Sequence, residues 1–283
     1  MKNKRKKTWI INLLKYVGLI AFAYVFLFPI LWMVFGAFKD NIELFSSMSL
    51  LPKSFNLDSY VTGWKGTANI SFGTFFKNSF ILVGLTTIFT LISSILISYG
   101  FARFDFPLKK ILFVTMIGTM MLPNAILVVP RYILFNALGW IDTYKVFYIP
   151  ALFGCYPFFT FMFVQFFRSI PKELDEAAKI DGCNSFGILT HILLPLLKPV
   201  IVSCIVFQAA WTWEDFFNPL IYISSARNYP VSLGLRMNLD TAAAINYPAL
   251  LAMATLSILP IALLYFFAQR VFVEGISSTG LKG

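Results

Sequence analysis

Six stretches of the chain stay apolar for the length of a bilayer crossing, with short polar interludes between them. A membrane-spanning helix needs about 20 predominantly apolar residues. Segments 10–38, 76–100, 110–134, 144–167, 198–223 and 248–273 meet that demand and are predicted as six transmembrane helices. The first follows MKNKRKK, as a signal core would, but its apolar run is too long for one and no small-x-small cleavage site follows, so it reads as a retained span. Residues 39–75 hold LLPKSFNLDSYVTGW, whose turn formers and aromatics predict a small interfacial cap. Residues 101–109, FARFDFPLK, make a short turn with Pro107 as breaker, and 224–247 carry SSARNYPVSLGLRMNLDTAAAIN.

Charge orients the spans. With the N-terminus inside, fifteen of the 23 Lys and Arg residues fall in inner regions and eight in outer ones, which predicts cytoplasmic termini. Composition agrees with the hydropathy: 58% of the residues are hydrophobic, 13% are charged, and the mean hydropathy is +0.76, outside the range of soluble domains. The net charge of +10 follows from the inner loops of a membrane protein, and with no soluble domain to carry it, nucleic acid is not expected as a partner. Cys155, Cys183 and Cys204 lie in different segments without C-x-x-C spacing, so neither a disulfide framework nor a metal site is indicated. His191 is the single histidine, and no phosphate-binding loop, nucleophile elbow or H-E-x-x-H occurs. No catalytic residues are expected.

One interlude is unlike the others. Residues 171–182, PKELDEAAKIDG, place four of the thirteen acids in a helix-sized insert on the inner face. Pro171 suits a first turn, Glu173, Asp175 and Glu176 sit at the positive end of the helix dipole, and Gly182 supplies a stop. Asn184 can cap a second short helix, SFGILTHILL, closed by Pro195 and Pro199. Small residues flanked by charge can enter another protein's groove, although composition by itself equally describes a solvated loop helix.

The stretch ELDEAAKIDGCNSFGILTHILLPLLKP resembles the EAA motif of permease subunits in binding-protein-dependent ABC importers, E-A-A-x-x-D-G followed by I-x-L-P. Glu176, Ala177, Ala178, Asp181, Gly182, Ile192, Leu194 and Pro195 fall on it, with Cys183 where alanine is usual and His191 where arginine is frequent. The ending FFAQRVFVEGISSTGLKG is similar to that of the carbohydrate-uptake, maltose-transporter-like branch. The resemblance implies an all-α integral membrane protein with the type I ABC importer permease fold and a cytoplasmic coupling-helix loop, in a prokaryotic plasma membrane. It implies a first span with outer loop over 1–75, a five-helix core over 76–273 containing the coupling loop 168–197, and a cytoplasmic tail over 274–283. Glu176, Ala177, Ala178, Asp181 and Gly182 would couple to a dimeric cytoplasmic ABC ATPase. ATP and Mg would be bound by that ATPase, leaving this chain without a cofactor. Further implied partners are a second homologous permease, as a heterodimer, an extracellular solute-binding protein and a carbohydrate. The binding protein would meet the outer loop at Asp240, Ala242 and Ala243. The tail's glycines and serines predict an extended segment beside the ATPase.

The fifth span carries a further pattern. Gln208, Trp211, Asp215, Asn218 and Tyr222 recur at spacings of three and four, one stripe on a single helix, with Pro219 as the breaker just beyond. A charge at that depth belongs against water or a partner helix, so the stripe is expected to line a translocation pathway. The alternatives are an interfacial aromatic belt or an ion-coupled secondary carrier using Glu214 and Asp215.

Overall fold

The structure, a computed structural model, describes residues 2–154, 156–240 and 245–280. Helices follow in the order α1 (Lys2–Gly36), α2 (Asn41–Ser46), α3 (Asp58–Lys65), α4 (Phe72–Arg103), α5 (Lys109–Thr119), α6 (Asn124–Ala137), α7 (Lys145–Phe153), α8 (Pro157–Ser169) and α9 (Glu173–Ile180). Then come α10 (Ser185–Gly187), a π-helical turn over Ile188–Leu193, α11 (Leu194–Leu196), α12 (Lys198–Glu214), α13 (Phe217–Tyr222), α14 (Val231–Asp240) and α15 (Tyr247–Gly280). Four stretches, Ile11–Gly36, Phe72–Arg103, Lys145–Ser169 and Tyr247–Gln269, are individually long and apolar enough to cross a membrane, and two bent pairs complete six.

The bends are where hydropathy alone misreads the chain. The expected third span is α5 and α6, which meet at 103°. Pro123 stands between them, unable to donate to the preceding turn. The fourth is interrupted at Gly154, ahead of Pro157 at the start of α8. The fifth does not run to Ile223 as one helix: α12 stops at Glu214, with Asp215 extended at φ −63°, ψ 115°, four residues before the expected break at Pro219. Pro219 instead sits inside α13, where the first turn of a short helix tolerates it. At its other end α12 meets Ser185–Leu196 at 78°. The tail also differs from expectation: α15 continues as helix to Gly280, because each residue added to an existing helix gains one backbone hydrogen bond. Residues 281–283 of that tail lie outside the described residues.

The chain divides into two compact units. One comprises residues 1–72 and 235–258. Here Asp40 caps α2 by accepting from the Glu43 amide at 2.6 Å, and Glu43 in turn accepts from the Lys53 amide at 2.9 Å. Asn41 donates to the Ile245 carbonyl and accepts from the Tyr247 amide, both at 3.2 Å, which pins the start of α15. Gly63 is required by close approach: a Cβ there would lie 2.9 Å from the Ala249 carbonyl oxygen. In α1 none of the apolar window is buried.

The other unit comprises residues 73–234 and 259–283. Its core gathers Phe159, Phe163 and Phe167 of α8 with Ala178 of α9, Ile188, Leu189 and Leu193 of the π turn, and Val200 and Cys204 of α12. α4 contributes Tyr99 and Ala102 to it, and further along its length buries Ser93, which donates to the Ala151 carbonyl at 2.7 Å, and Ser98, which donates to the Thr160 carbonyl at 2.9 Å. Hydroxyls of this kind let an otherwise apolar helix bind its neighbours by hydrogen bonds as well as by packing.

Candidate functional site

The acidic insert folds as its residues dictate. Three acids occupy the first turn of α9, and the helix ends in a Schellman motif. The Cys183 amide donates to the Ala178 carbonyl at 2.9 Å, the Gly182 amide to the Lys179 carbonyl at 3.0 Å, and Gly182 has φ +82°, which costs glycine nothing. Asn184 caps the next helix by accepting from the Gly187 amide at 2.7 Å. Beyond it the expected SFGILTHILL helix is partly π, the wider turn lying just before Pro195, which has no N–H to give the α-helical ladder.

The face of α9 differs from a uniform display of the motif. Glu176, Ala177, Asp181 and Gly182 are exposed, together with Leu174 and Ile180. Ala178 is buried at 4% exposure in the chain's own core, so only one of the two expected alanine knobs faces outward. Asp175 is not among the expected site residues, yet it anchors the element: its Oδ2 lies 2.6 Å from Arg103 Nε at the end of α4, and both side chains are buried. Arg103 also donates to the Ile170 carbonyl at 3.0 Å, and the Tyr99 hydroxyl donates to the Ser185 carbonyl at 3.0 Å. The end of α4 therefore holds the acidic loop at three points.

The stripe residues meet in a different way from the one expected. Although they lie on two helices and the Asp215 break between them, Gln208, Trp211, Asp215, Asn218 and Tyr222 all line one cavity of about 720 Å³. Asp215 organises the break: its Oδ1 accepts from the Asn218 amide at 3.1 Å, its Oδ2 from Asn218 Nδ2 at 2.8 Å, and its carbonyl from Ser232 Oγ at 2.8 Å. Trp211 rests on Phe158, Phe159 and Phe207, with ring centroids 5.2, 5.3 and 6.0 Å away, and remains 48% exposed. Gln208 is buried; its Nε2 donates to Thr212 Oγ1 at 2.8 Å while its Oε1 has no partner. The Tyr222 hydroxyl and Thr86 Oγ1 are buried without partners in the same wall. Each such group costs about 1–3 kcal/mol unless water or a ligand meets it.

Other helices complete the cavity with residues that periodicity on one span could not supply. Thr86 comes from α4, and Asn124 and Arg131 come from α6, where Arg131 donates to Asn124 Oδ1 at 2.9 Å. Two sequence signals point to them: Arg131 is a charge within an apolar segment, and Thr86, Thr90 and Ser94 repeat every fourth residue in α4.

The outer connection begins from a fixed base. Asp142, at φ +62°, accepts from the amides of Ser224 at 3.0 Å and Ser225 at 2.8 Å, and from the Ser225 hydroxyl. Burial works to raise its pKa, but the Ser225, Ser224 and Asn228 hydrogen bonds outweigh it and hold the carboxyl below its ordinary value. The Tyr144 hydroxyl donates to the Asn228 carbonyl at 2.9 Å. Asn78 donates to the carbonyls of Arg227 and Tyr229 at 2.7 and 3.0 Å. Asp240 ends α14, while Ala242 and Ala243 lie outside the described residues.

Residues 94–278 match the family model described as binding-protein-dependent transport system inner membrane component. The chain is 34% identical to the probable ABC transporter permease protein YurM of Bacillus subtilis, covering 100% of this chain and 93% of that protein. It is 33% identical to the arabinooligosaccharides transport system permease protein AraQ of Bacillus subtilis, covering 92% of each. Among solved structures, a bacterial ABC transporter involved in the import of the acidic polysaccharide alginate matches with a TM-score of 0.82 at 20% identity, over 92% of this chain and 96% of that one. At that identity the likeness is one of fold.

Proposed function

Because this chain belongs to the family of binding-protein-dependent transport system inner membrane components, we propose that it is a carbohydrate-translocating subunit of an ABC importer, with the cavity at the α12–α13 break as part of the route. The convergence of the five stripe residues on one polar and aromatic cavity carries this reading. Aromatic faces stack on sugar C–H surfaces, and amides and carboxylates meet sugar hydroxyls. Relatives named for arabinooligosaccharides and for trehalose and maltose support carbohydrate as the cargo class.

In this reading the exposed face of α9, with Glu176, Ala177, Asp181 and Gly182, seats in a dimeric cytoplasmic ATPase that binds ATP and Mg. A second, homologous permease completes the membrane portion as a heterodimer. Both termini are cytoplasmic, as the Lys and Arg bias argues. An extracellular solute-binding protein delivers the sugar and meets the outer connection around Asp240, Ala242 and Ala243. The end of α15 lies beside the ATPase. Glu214 and Asp215 then serve the passage of sugar rather than an ion gradient.

The test is accessibility. In a background lacking Cys155, Cys183 and Cys204, cysteine at 211, 215 or 218 is expected to react with small water-soluble thiol reagents, at a rate that changes with nucleotide state in the assembled transporter. Silence at all three positions in every state would remove the cavity from the route.

A further inference from the structure

We infer that the cavity is itself a binding subsite for an uncharged oligosaccharide, so that this chain holds the cargo during passage and discriminates against acidic sugars. The inference rests on the carbohydrate-import reading and adds a location and a charge preference to it.

The location follows from unmet hydrogen-bonding capacity. Gln208 and Tyr222 are more than nine-tenths buried, and Gln208 Oε1 and the Tyr222 hydroxyl have no partner, as is true of Thr86 Oγ1 across the cavity. An amide oxygen only accepts, whereas the two hydroxyls donate or accept. A ligand rich in hydroxyl groups can satisfy all three, and an apolar one can satisfy none. Trp211 adds a half-exposed indole backed by Phe158, Phe159 and Phe207, a stacking surface already held in place. The volume of about 720 Å³ leaves room for a short oligosaccharide, within the range of ligand pockets.

The charge preference follows from the ionisable side chains of the wall. Among the described lining residues Glu214 and Asp215 are acidic and Arg131 is basic. Arg131 already shares a hydrogen bond with Asn124, and the Asp215 carboxylate is turned to the Asn218 amide and side chain. α12 also ends at this wall, and the carbonyls of a helix C-terminus add partial negative charge. A uronate carboxylate entering there meets net repulsion. The fold does not impose this, since a transporter of the same fold is described as importing an acidic polysaccharide.

The experiment uses the assembled transporter in proteoliposomes, with Asn218→Cys in the background lacking native cysteines. Arabinotriose, maltotriose and diacetylchitobiose are screened for uptake, and trigalacturonate is the acidic probe. The expected result is that a transported neutral sugar slows thiol labelling at 218, while trigalacturonate needs roughly tenfold higher concentration to do so. Glu214→Gln is expected to narrow that gap. Labelling that proceeds at the same rate with and without every sugar, or equal protection by trigalacturonate, overturns the inference and leaves the route intact. Preferential uptake of trigalacturonate over all three neutral sugars overturns it too. Failure of the Asn218→Cys variant to label in any state, by contrast, strikes the route itself.

Discussion

Ala177 and Ala178 are one residue and about 100° of helix rotation apart, which places one methyl outside and the other in the core. The same substitution should therefore fail in two different ways. Ala177→Glu is expected to leave chain abundance in the membrane unchanged while uptake and binding-protein-stimulated ATP hydrolysis fall to background. Ala178→Glu buries an unpaired carboxylate in the cluster that holds Ile188 and Leu189, a cost of several kcal/mol, and should lower the amount of folded chain. Uptake normalised to abundance separates them, and full uptake by Ala177→Glu would remove α9 from coupling. The motif is legible as a string of residues, but it does not say which of its small residues is spent on the chain's own packing. That depends on the helix phase, which the Schellman turn at Gly182 and the cap at Asn184 settle only once the next helix is in place.

Between elements, Arg103 and Asp175 tie the loop to a long membrane helix through two buried charges. Removing one partner of a buried pair costs about 3–5 kcal/mol, whereas replacing both with apolar residues is often neutral. Arg103→Met should therefore lower the thermal stability of the purified chain, and Arg103→Met with Asp175→Leu should recover most of it, less the donor lost to the Ile170 carbonyl. A double variant no better than the single one would assign the loss to Arg103's other contacts. Local signals suffice for α9, its stop and the cap of the next helix, because each depends on residues within a few positions. A separation of 72 residues hides Arg103 from Asp175. The Asp215 break is hidden for another reason: the stripe keeps a helical period across it, and the nearby proline offers a more obvious place to stop.

For the whole molecule, the proposed input surface on α9 and the proposed cavity on α12 and α13 are joined along one stretch of chain, through α10, the π turn, α11 and α12. The six long apolar segments are legible in outline from hydropathy, while the 103° and 78° bends depend on how neighbouring helices pack and on prolines whose effect is directional. The π turn over Ile188–Leu193 has a consequence for that connection. A π turn accommodates one residue more than an α turn would, so it sets the angular phase between the helix before it and the helix after it. Deleting Ile192 would let the segment relax to regular α-helix and rotate everything beyond it by about 100°, carrying Gln208 and Trp211 out of register with the loop. Such a variant is expected to insert and to hydrolyse ATP without moving sugar, and normal uptake would show that timing between the two ends does not depend on phase. The extra residue works as the spline of a drive shaft, fixing the angle at which one end turns the other.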